Sequence, residues 1–366
     1  MSQTTKKFFL GANTPHGFVS RFDQLKPKDE DWNTYIIKGG PGTGKSTLMK
    51  KVADALSAYT NNIEYIYCSA DVNSLDAVIF PELRVSIADG THPHVLEPKY
   101  PGLGENFVVL NDAISSDCLK DYREDIIEKY EAKANCHAQC CKLLSAGASL
   151  LSDTYAIALP HTNTAKIANF ANNFCQRELK PVQNKKGKEY VRFLSGFTNQ
   201  GLFVFEETIS HYCDDIIFID DEYGCVCSNL MSRLKELAVG NGYDVITCYC
   251  PLYPFNKIDY LFIPEKRLGF ISMNKIHTIS VLPHRIIHAQ RFCDIDKIKE
   301  MSNRIRFNKK AAVQMIERGC SLLEDAKTAH EKLEDYYTRA TNFGEIENIT
   351  TELIEKIKLS LFSSRF

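Results

Sequence analysis

A segment near the amino terminus combines glycines, a lysine and a hydroxyl residue at a spacing suited to holding a phosphate chain. Residues 39–46 read Gly-Gly-Pro-Gly-Thr-Gly-Lys-Ser and fit the Walker A pattern G-x-x-x-x-G-K-[ST]. Glycines let backbone N–H groups surround phosphate closely, and the helix that follows adds positive potential. The spacing predicts that Lys45 neutralises the β and γ phosphates of ATP and that Ser46 ligates Mg²⁺.

The predicted nucleotide site includes the whole segment and the first residues of the helix. Its expected ATP-binding residues are Gly39, Gly40, Pro41, Gly42, Thr43, Gly44, Lys45, Ser46 and Thr47. An apolar run, residues 35–38, precedes the segment, and residues 46–56 follow with apolar side chains at helical spacing. This order of strand, loop and helix favours a phosphate-binding loop over the alternative, a glycine-rich turn with an incidental lysine.

A phosphate-binding loop also needs an acid at the end of a neighbouring strand, to hold the magnesium shell or to orient water. Asp89 is the candidate, because it closes the apolar run 85–88 and opens the segment Asp-Gly-Thr-His-Pro-His. With Lys45 it forms the predicted catalytic pair, and with Ser46 the predicted metal site. Asp71 is the alternative acid. His92 and His94 are expected either to contact phosphate or a second substrate, or to be solvated loop residues.

Four segments of the chain recur later in the sequence, which predicts a tandem duplication. Each match keeps the order of the others, and the offsets are 184, 182, 183 and 172. The matched segments are 9–18 with 193–202, 35–49 with 217–231, 75–84 with 258–267, and 147–153 with 319–325. The repeat predicts two domains, residues 1–183 and 184–366, the second about eleven residues shorter than the first within the matched region.

The secondary-structure pattern predicts an α/β fold in each copy. In the first copy, strands near residues 35–38, 63–68 and 83–88 alternate with helices, which predicts a parallel sheet with right-handed crossovers. Residues 112–179 then become helical and predict a helical hairpin beside the sheet. The second copy repeats this plan. The fold predicted for the chain is two tandem P-loop NTPase-like units, each with a helical extension.

The second copy lacks the chemistry of the first. Its loop, residues 220–228, reads Asp-Asp-Glu-Tyr-Gly-Cys-Val-Cys-Ser, so that Cys227 replaces Lys45 and three acids would repel phosphate. Ser272 stands where the first copy has Asp89. The second copy is therefore predicted not to bind ATP. Residues kept in both copies are interpreted as scaffold: Thr14, Gly17, Asp76, Pro81, Glu82 and Arg84, with Thr198, Gly201, Asp259, Pro264, Glu265 and Arg267.

Composition limits the class of protein. A net charge of −2 without an extended basic stripe argues against nucleic acid as the main partner. The absence of a signal sequence and of a long apolar run predicts a cytoplasmic protein without a membrane span. The thirteen cysteines are then expected to be reduced thiols. Residues 136–141 and the pairs Cys225 with Cys227 and Cys248 with Cys250 have spacings uncommon for zinc, so buried apolar roles are favoured over metal binding.

The motifs resemble a family of bacterial P-loop ATPases, mostly from Firmicutes, that carry two tandem P-loop halves. The resemblance covers the Phe-x-Gly-x-x-Thr segment at residues 9–14, the glycine-rich segment, the Asp-Gly-Thr-x-Pro-His segment at 89–94 and the helices. It implies ATP binding and hydrolysis. In that family the second half can carry its own lysine-bearing loop, which is missing here, so a mechanism with two ATP sites is not expected.

The function predicted from these features is a Mg²⁺-dependent ATPase that uses the first copy. The second copy is expected to be a partner or regulatory lobe that binds no nucleotide. Two alternatives stay open: a small-molecule or nucleotide kinase, and a non-hydrolysing switch or scaffold controlled by ATP. The further partner, a protein or a small molecule, does not follow from the sequence.

Overall fold

The computed structural model describes residues 6–27, 31–100 and 102–363. Within these ranges the chain forms strands β1–β16 and helices α1–α9. The strands are β1 (Lys6–Phe8), β2 (Gly11–Thr14), β3 (Gly17–Ser20), β4 (Asn33–Lys38), β5 (Glu64–Tyr67), β6 (Leu75–Phe80), β7 (Val85–Asp89), β8 (Glu105–Val109), β9 (Glu189–Arg192), β10 (Ser195–Thr198), β11 (Gly201–Val204), β12 (Asp215–Asp220), β13 (Val245–Cys250), β14 (Tyr253–Ile263), β15 (Leu268–Met273) and β16 (Arg285–His288). The helices are α1 (Lys45–Leu56), α2 (Ser116–Lys120), α3 (Arg123–Ala158), α4 (Thr164–Glu178), α5 (Glu206–Tyr212), α6 (Cys225–Gly240), α7 (Ile295–Lys299), α8 (Ser302–Ala340) and α9 (Phe343–Ser363). The prediction of an α/β fold is confirmed.

The first six-stranded sheet is mixed, with the strand order β1-β5-β6-β7-β4-β8. Strand β6 runs antiparallel to β5 and β7, whereas β1 with β5, and β4 with β7 and β8, form parallel pairs. A parallel connection needs a crossover of about a dozen residues, but only the turn Pro81–Leu83 and Arg84 join β6 to β7. The prediction of a parallel sheet was therefore wrong at β6, whose residues had been recognised as a repeated segment but not as a strand.

Strand β4 and helix α1 form the centre of this half. Residues 34–37 of β4 are buried between β7 and β8, which explains the continuous apolar run. In α1 the side chains of Leu48, Val52 and Leu56 are buried at a spacing of four residues and cover the sheet. The strand predicted at 35–38 and the helix predicted at 46–56 are confirmed.

The second six-stranded sheet repeats the first, strand for strand. Its order is β9-β13-β14-β15-β12-β16, and β14 is the antiparallel strand that corresponds to β6. Helix α6 follows β12 as α1 follows β4. Two unrelated segments would not share both the strand order and the direction of every strand, so the prediction that the second copy repeats the plan of the first is confirmed.

The long helical segments are exchanged between the copies. Helix α9 follows the second sheet in the chain but packs against α1 in the core of the first sheet. Helix α4 follows the first sheet but packs against α6 in the core of the second. The buried side chains that make these contacts are Ile346, Leu353 and Ile357 in α9, and Ile167, Ala171 and Phe174 in α4. The prediction that each hairpin lies beside its own sheet is corrected accordingly.

This exchange also determines how the chain divides into compact units. The first unit comprises the described residues of Met1–Gly11, Ser20–Ala138 and Leu322–Phe366, and the second comprises Ala12–Val19 and Gln139–Ser321. The predicted domains, 1–183 and 184–366, follow the sequence repeat. The packing units differ from them, because residues 12–19 and 139–183, with α4, belong to the second unit, and residues 322–366, with α9, belong to the first. No helix in the described ranges is long and apolar enough to span a membrane.

The helical parts of the two copies are related by an offset of 179. Asn163 and Asn342 cap α4 and α9, each by accepting hydrogen bonds from backbone N–H groups of the first turn, and 342 − 163 = 179. The same offset relates β8 to β16: Asn106 of β8 lies opposite Tyr35 of β4, and Arg285 of β16 lies opposite the corresponding residue of β12, Ile217. The match of residues 147–153 with 319–325 is thus out of register by seven residues, two helical turns. The second copy is shorter by 184 − 179 = 5 residues, not eleven.

Candidate functional site

The glycine-rich segment forms a loop at the carboxyl edge of the first sheet. This glycine loop, residues 39–44, joins β4 to α1. Gly42 and Gly44 have φ angles of 67° and 83°, in the left-handed region that favours glycine. Because β4, β7 and β8 are parallel, the loop lies where open α/β sheets bind ligands. The amino terminus of α1 adds positive potential there.

Two glycines of the loop are also required by packing against α8. A Cβ at Gly40 would lie 2.5 Å from the ring of Tyr337, and a Cβ at Gly42 would lie 2.6 Å from the carbonyl oxygen of Glu334. The Thr338 hydroxyl donates a hydrogen bond to the carbonyl of Gly42 at 3.3 Å. The glycines thus have a structural reason in addition to the close approach of phosphate that the sequence suggested.

Lys45 and Asp89 lie beside each other at the loop. The Lys45 ammonium donates hydrogen bonds to the carbonyls of Gly39 and Gly40 at 3.0 and 2.6 Å. The same nitrogen lies 3.5 Å from a carboxylate oxygen of Asp89, and both side chains are largely buried. Asp89 is the last residue of β7, which is adjacent to β4, and its carboxylate accepts hydrogen bonds from the backbone and hydroxyl of Thr91.

The remaining predicted loop residues lie around this pair. The Ser46 hydroxyl accepts a hydrogen bond from the backbone N–H of Leu75 at 3.0 Å, which leaves a second lone pair for another partner. The Thr43 hydroxyl is buried and donates to the carbonyl of Gly40. Pro41 is half-buried and Thr47 is exposed on the first turn of α1.

The alternative acid and the two histidines have different surroundings. Asp71 is half-buried in the connection from β5 to β6, where its carboxylate accepts a hydrogen bond from the backbone of Asn73. His94 is buried, its ring stacks on Phe22 at 4.6 Å, and its Nε2 lies 3.7 Å from Asp76. His92 is exposed. The two histidines therefore do not form one site.

A group of polar side chains on α3 and α8 lies near the glycine loop, and the sequence reading missed it. We call Lys133, His137, His330 and Glu334 the polar cluster. The Lys133 ammonium lies 3.1 Å from Nδ1 of His330, and Nε2 of His330 lies 3.5 Å from Glu334. All four residues line a small pocket of about 50 Å³, as does Asp71.

The pKa values of the polar cluster are shifted by burial. Burial, with the nearby charge of Lys133, lowers the pKa of His137 to about 4 and that of His330 to about 3, and Lys45 adds to the second shift. Burial also lowers the pKa of Lys133 and raises that of Glu334. Both histidines are thus neutral at pH 7. Groups with shifted pKa values near a cleft are frequent at functional sites.

The second copy shows which signal would have revealed the polar cluster. At the offset of 179, its four positions are occupied by apolar or aromatic side chains. The corresponding residues are Ala312 for Lys133, Ile316 for His137, Leu151 for His330 and Tyr155 for Glu334. Contacts with the loops support this register, because Tyr155 is the side chain nearest to Gly224 as the Glu334 backbone is nearest to Gly42. The polar cluster, like Lys45, therefore occurs in only one copy.

In the second copy a carboxylate lies at the loop itself. One oxygen of Asp221 accepts hydrogen bonds from the backbone N–H groups of Tyr223 and Gly224, at 3.1 and 3.0 Å, and the other accepts from Cys227 at 2.8 Å. Asp221 is almost completely buried. These donors belong to the loop and to the first turn of α6, where a phosphate-binding loop would bind its anion. The acids of this loop were expected only to repel phosphate, but one of them, Asp221, accepts hydrogen bonds from three backbone N–H groups at the start of α6.

The cysteine pairs lie in the core of the second unit. Cys225 and Cys227 begin α6, Cys248 and Cys250 lie in β13, and all four are buried free thiols. Burial raises the pKa of Cys225 and of Cys250 to about 12, so these thiols are protonated at neutral pH, whereas metal binding requires thiolate. Within residues 6–27, 31–100 and 102–363, no group of three or more His, Cys, Asp or Glu side chains is arranged to hold a metal ion.

Comparison with known proteins gives one match. Residues 19–79 match the family described as Nephrocystin 3, N-terminal. The matched part contains β4, the glycine loop, α1, β5 and most of β6. It is about a sixth of the chain, which does not establish membership of the family. Neither curated proteins nor solved structures gave a significant match. The resemblance to tandem bacterial P-loop ATPases stays a prediction.

Proposed function

We propose that the chain is a Mg²⁺-dependent ATPase that binds ATP at the glycine loop of its first unit. The proposal rests on the asymmetry between two sheets of equal topology. The first has a lysine, an acid and the polar cluster near its loop, whereas the second has Cys227, Ser272 and apolar side chains at the corresponding positions. A need for stable folding applies equally to both copies, so it does not explain why all these groups differ together.

The residues at the loop fit MgATP. Lys45 and the amino terminus of α1 would hold the β and γ phosphates. The Ser46 hydroxyl and the Asp89 carboxylate are oxygen donors of the kind that Mg²⁺ prefers, and they lie at the carboxyl ends of the neighbouring parallel strands β4 and β7. The bound ion would neutralise charge on the phosphates. We assign Lys45 and Asp89 as the catalytic pair.

A carboxylate beside the glycine loop favours water as the phosphoryl acceptor. The backbone of Glu334 lies next to Gly42 of the loop, and the pocket of about 50 Å³ beside it has room for water. Glu334 lines this pocket, and burial raises its pKa, which makes its carboxylate a stronger base. We therefore favour hydrolysis over the alternative of a small-molecule or nucleotide kinase, and we assign Glu334 to orienting the attacking water.

The second copy is proposed to be a lobe that binds no nucleotide. Asp221 takes the three backbone donors that a phosphate would need, and its negative charge adds repulsion. Cys227, at the position of Lys45, offers no cation, because a thiol is neutral when protonated and negative when ionised. Burial raises the pKa of this thiol and keeps it neutral.

The proposal is tested by Lys45→Ala, with Cys227→Ala as the matched control in the second copy. Loss of a cation beside two phosphates removes roughly 4 kcal/mol of gross attraction at a surface-like dielectric. We expect ATP binding or phosphate release to fall by at least about 100-fold in Lys45→Ala, with an unchanged circular dichroism spectrum. Cys227→Ala should leave both quantities unchanged. Full turnover by Lys45→Ala would refute the proposal.

The same assays separate the two alternatives. Tight ATP binding without phosphate release over hours would indicate a non-hydrolysing switch. Turnover that stays at background until one metabolite is added would indicate a kinase.

A further inference from the structure

The second unit contains a cavity of about 650 Å³. Its wall includes residues of the loop 221–224 that joins β12 to α6, which we call the degenerate loop. This volume lies in the usual range for sites that bind small organic molecules, roughly 300 to 1,000 Å³. Asp221, Tyr223 and Gly224 of the loop contribute to the wall, as do Tyr155 of α3 and Val313 of α8. The cavity therefore lies where the first unit has its glycine loop, but it is more than ten times larger than the pocket of the polar cluster.

The exchange of polar for apolar residues accounts for part of this wall. Leu151 and Tyr155 line the cavity, and they stand at the positions of His330 and Glu334. Phe197 and Leu202 extend the apolar surface. Two of the residues that stand in place of the polar cluster thus contribute to a surface suited to an apolar body.

The charged residues of the wall include a surplus of cations. Lys257, Lys275, Lys309 and Lys310 line the cavity, against the three acids Asp221, Glu222 and Asp259. One of these acids, Asp221, already accepts three backbone hydrogen bonds. The wall therefore has four ammonium groups and two carboxylates that are not occupied by backbone donors.

The pairing of these groups shows which cations can meet a ligand. Lys257 forms a buried ion pair with Asp259 at 2.7 Å. Lys309 and Lys275 share Glu222, at 2.8 and 3.8 Å. Lys310 is exposed and takes part in none of the ion pairs among the described residues. An anion of one or two charges would complete this arrangement near Lys275, Lys309 and Lys310.

We propose that this cavity binds a small organic anion with an apolar body and one or two negative charges. The ligand is not a nucleoside triphosphate, because Asp221 occupies the backbone donors of the loop. Apolar contact with Tyr155 and Val313 would supply affinity, and the lysines would select the charge. This site is independent of the proposed ATPase, since every residue of its wall belongs to the second unit.

The probe for this site is 8-anilinonaphthalene-1-sulfonate, an aromatic body with one negative charge. Titrations use the full chain carrying Lys45→Ala, without nucleotide, so that failure of the ATPase proposal does not affect the result. We expect one bound probe per chain. The uncharged analogue N-phenyl-1-naphthylamine should bind at least about tenfold more weakly, because it lacks the charge that the lysines attract.

Two substitutions on α8 assign the binding to the cavity. Val313→Trp fills the space and should weaken binding of the sulfonate at least about tenfold. Lys310→Glu reverses a wall charge and should weaken it several-fold. Arg318 is an exposed residue of the same helix outside the wall, so Arg318→Trp and Arg318→Glu are the matched controls and should bind as before.

Each contrary result overturns the proposal. The cavity would be excluded as the binding site if no stoichiometric binding occurred at millimolar probe. It would also be excluded if Val313→Trp, with an unchanged circular dichroism spectrum, bound the probe as the unsubstituted protein does. If Val313→Trp does not fold, Lys310→Glu against Arg318→Glu decides the question alone. Equal affinity for the charged and uncharged probes would exclude an anion as the ligand.

Discussion

The contacts of Asp221 predict that its removal destabilises the degenerate loop strongly. Three backbone N–H groups donate to this carboxylate, at distances of 2.8 to 3.1 Å, and the residue is almost fully buried. Hydrogen bonds to a charged group contribute about 1.5 to 3 kcal/mol each, and removal of one partner leaves buried donors unsatisfied. The bonds share one acceptor group and are not additive, so we expect Asp221→Ala to lower the local unfolding free energy by about 3 to 5 kcal/mol.

Hydrogen–deuterium exchange measures this loss at the loop itself. Because about 1.4 kcal/mol corresponds to a tenfold change in an equilibrium constant, the amides of residues 223–227 should exchange at least about 100-fold faster in Asp221→Ala. Asp221→Asn keeps an acceptor oxygen without the charge and should give an intermediate effect. Asp220 is exposed and approaches the exposed His288 at 3.2 Å, so Asp220→Ala should leave exchange unchanged. Equal exchange in Asp221→Ala and the unsubstituted protein would refute the assignment of Asp221 as an internal anion.

Three further outcomes are expected. Glu334→Gln should lower the rate of phosphate release by about 100-fold while ATP still binds, because the amide cannot accept a proton from water. The control Asp335→Asn changes an exposed neighbouring residue and should leave the rate unchanged. Equal rates in the two variants would contradict the role of Glu334. Ile357→Ala should lower the free energy of unfolding by about 2 to 5 kcal/mol, because the Ile357 side chain is fully buried against α1. The free energy is measured by urea titration followed by Trp32 fluorescence. A change below about 0.5 kcal/mol would contradict the packing of α9 in the first unit. The pKa of His330 is about 3 in the fold and about 6.5 when unfolded, so its contribution to stability is present above pH 6.5 and is lost at about 1.4 kcal/mol per pH unit as the pH falls to 4. In His330→Gln the midpoint of urea unfolding should therefore fall less steeply between pH 6.5 and 4. An unchanged slope would show that the histidine is not held neutral.

The local elements of the fold could be predicted from the sequence because their patterns are local. The apolar run before the glycines predicted β4, and the spacing of four residues between Leu48, Val52 and Leu56 predicted α1. Strand β6 was missed because the sheet was predicted to be parallel, with a helix or long loop between successive strands. Only a short turn separates β6 from β7. The exchange of α4 and α9 was not predictable, because the apolar face of a helix can pack against either of two similar sheets.

The candidate site was predictable only in part, for a related reason. The glycine loop and Asp89 follow adjacent parallel strands, so their positions in the sequence imply their positions at the sheet edge. The polar cluster is built from α3 and α8, and Lys133 and His330 are separated by 197 residues. The internal repeat contained the necessary signal, but the helical match at an offset of 172 was out of register by seven residues and aligned Lys133 with Ile305 instead of Ala312.

The number of ATP molecules bound per chain tests the central proposal most directly. Isothermal titration with a non-hydrolysable ATP analogue and Mg²⁺ should give one site in the unsubstituted protein, one site in Cys227→Ala and none in Lys45→Ala. The single site reflects a cation and an acid at one loop and a carboxylate, Asp221, at the other. Two sites per chain, or one site that survives Lys45→Ala, would contradict the proposal.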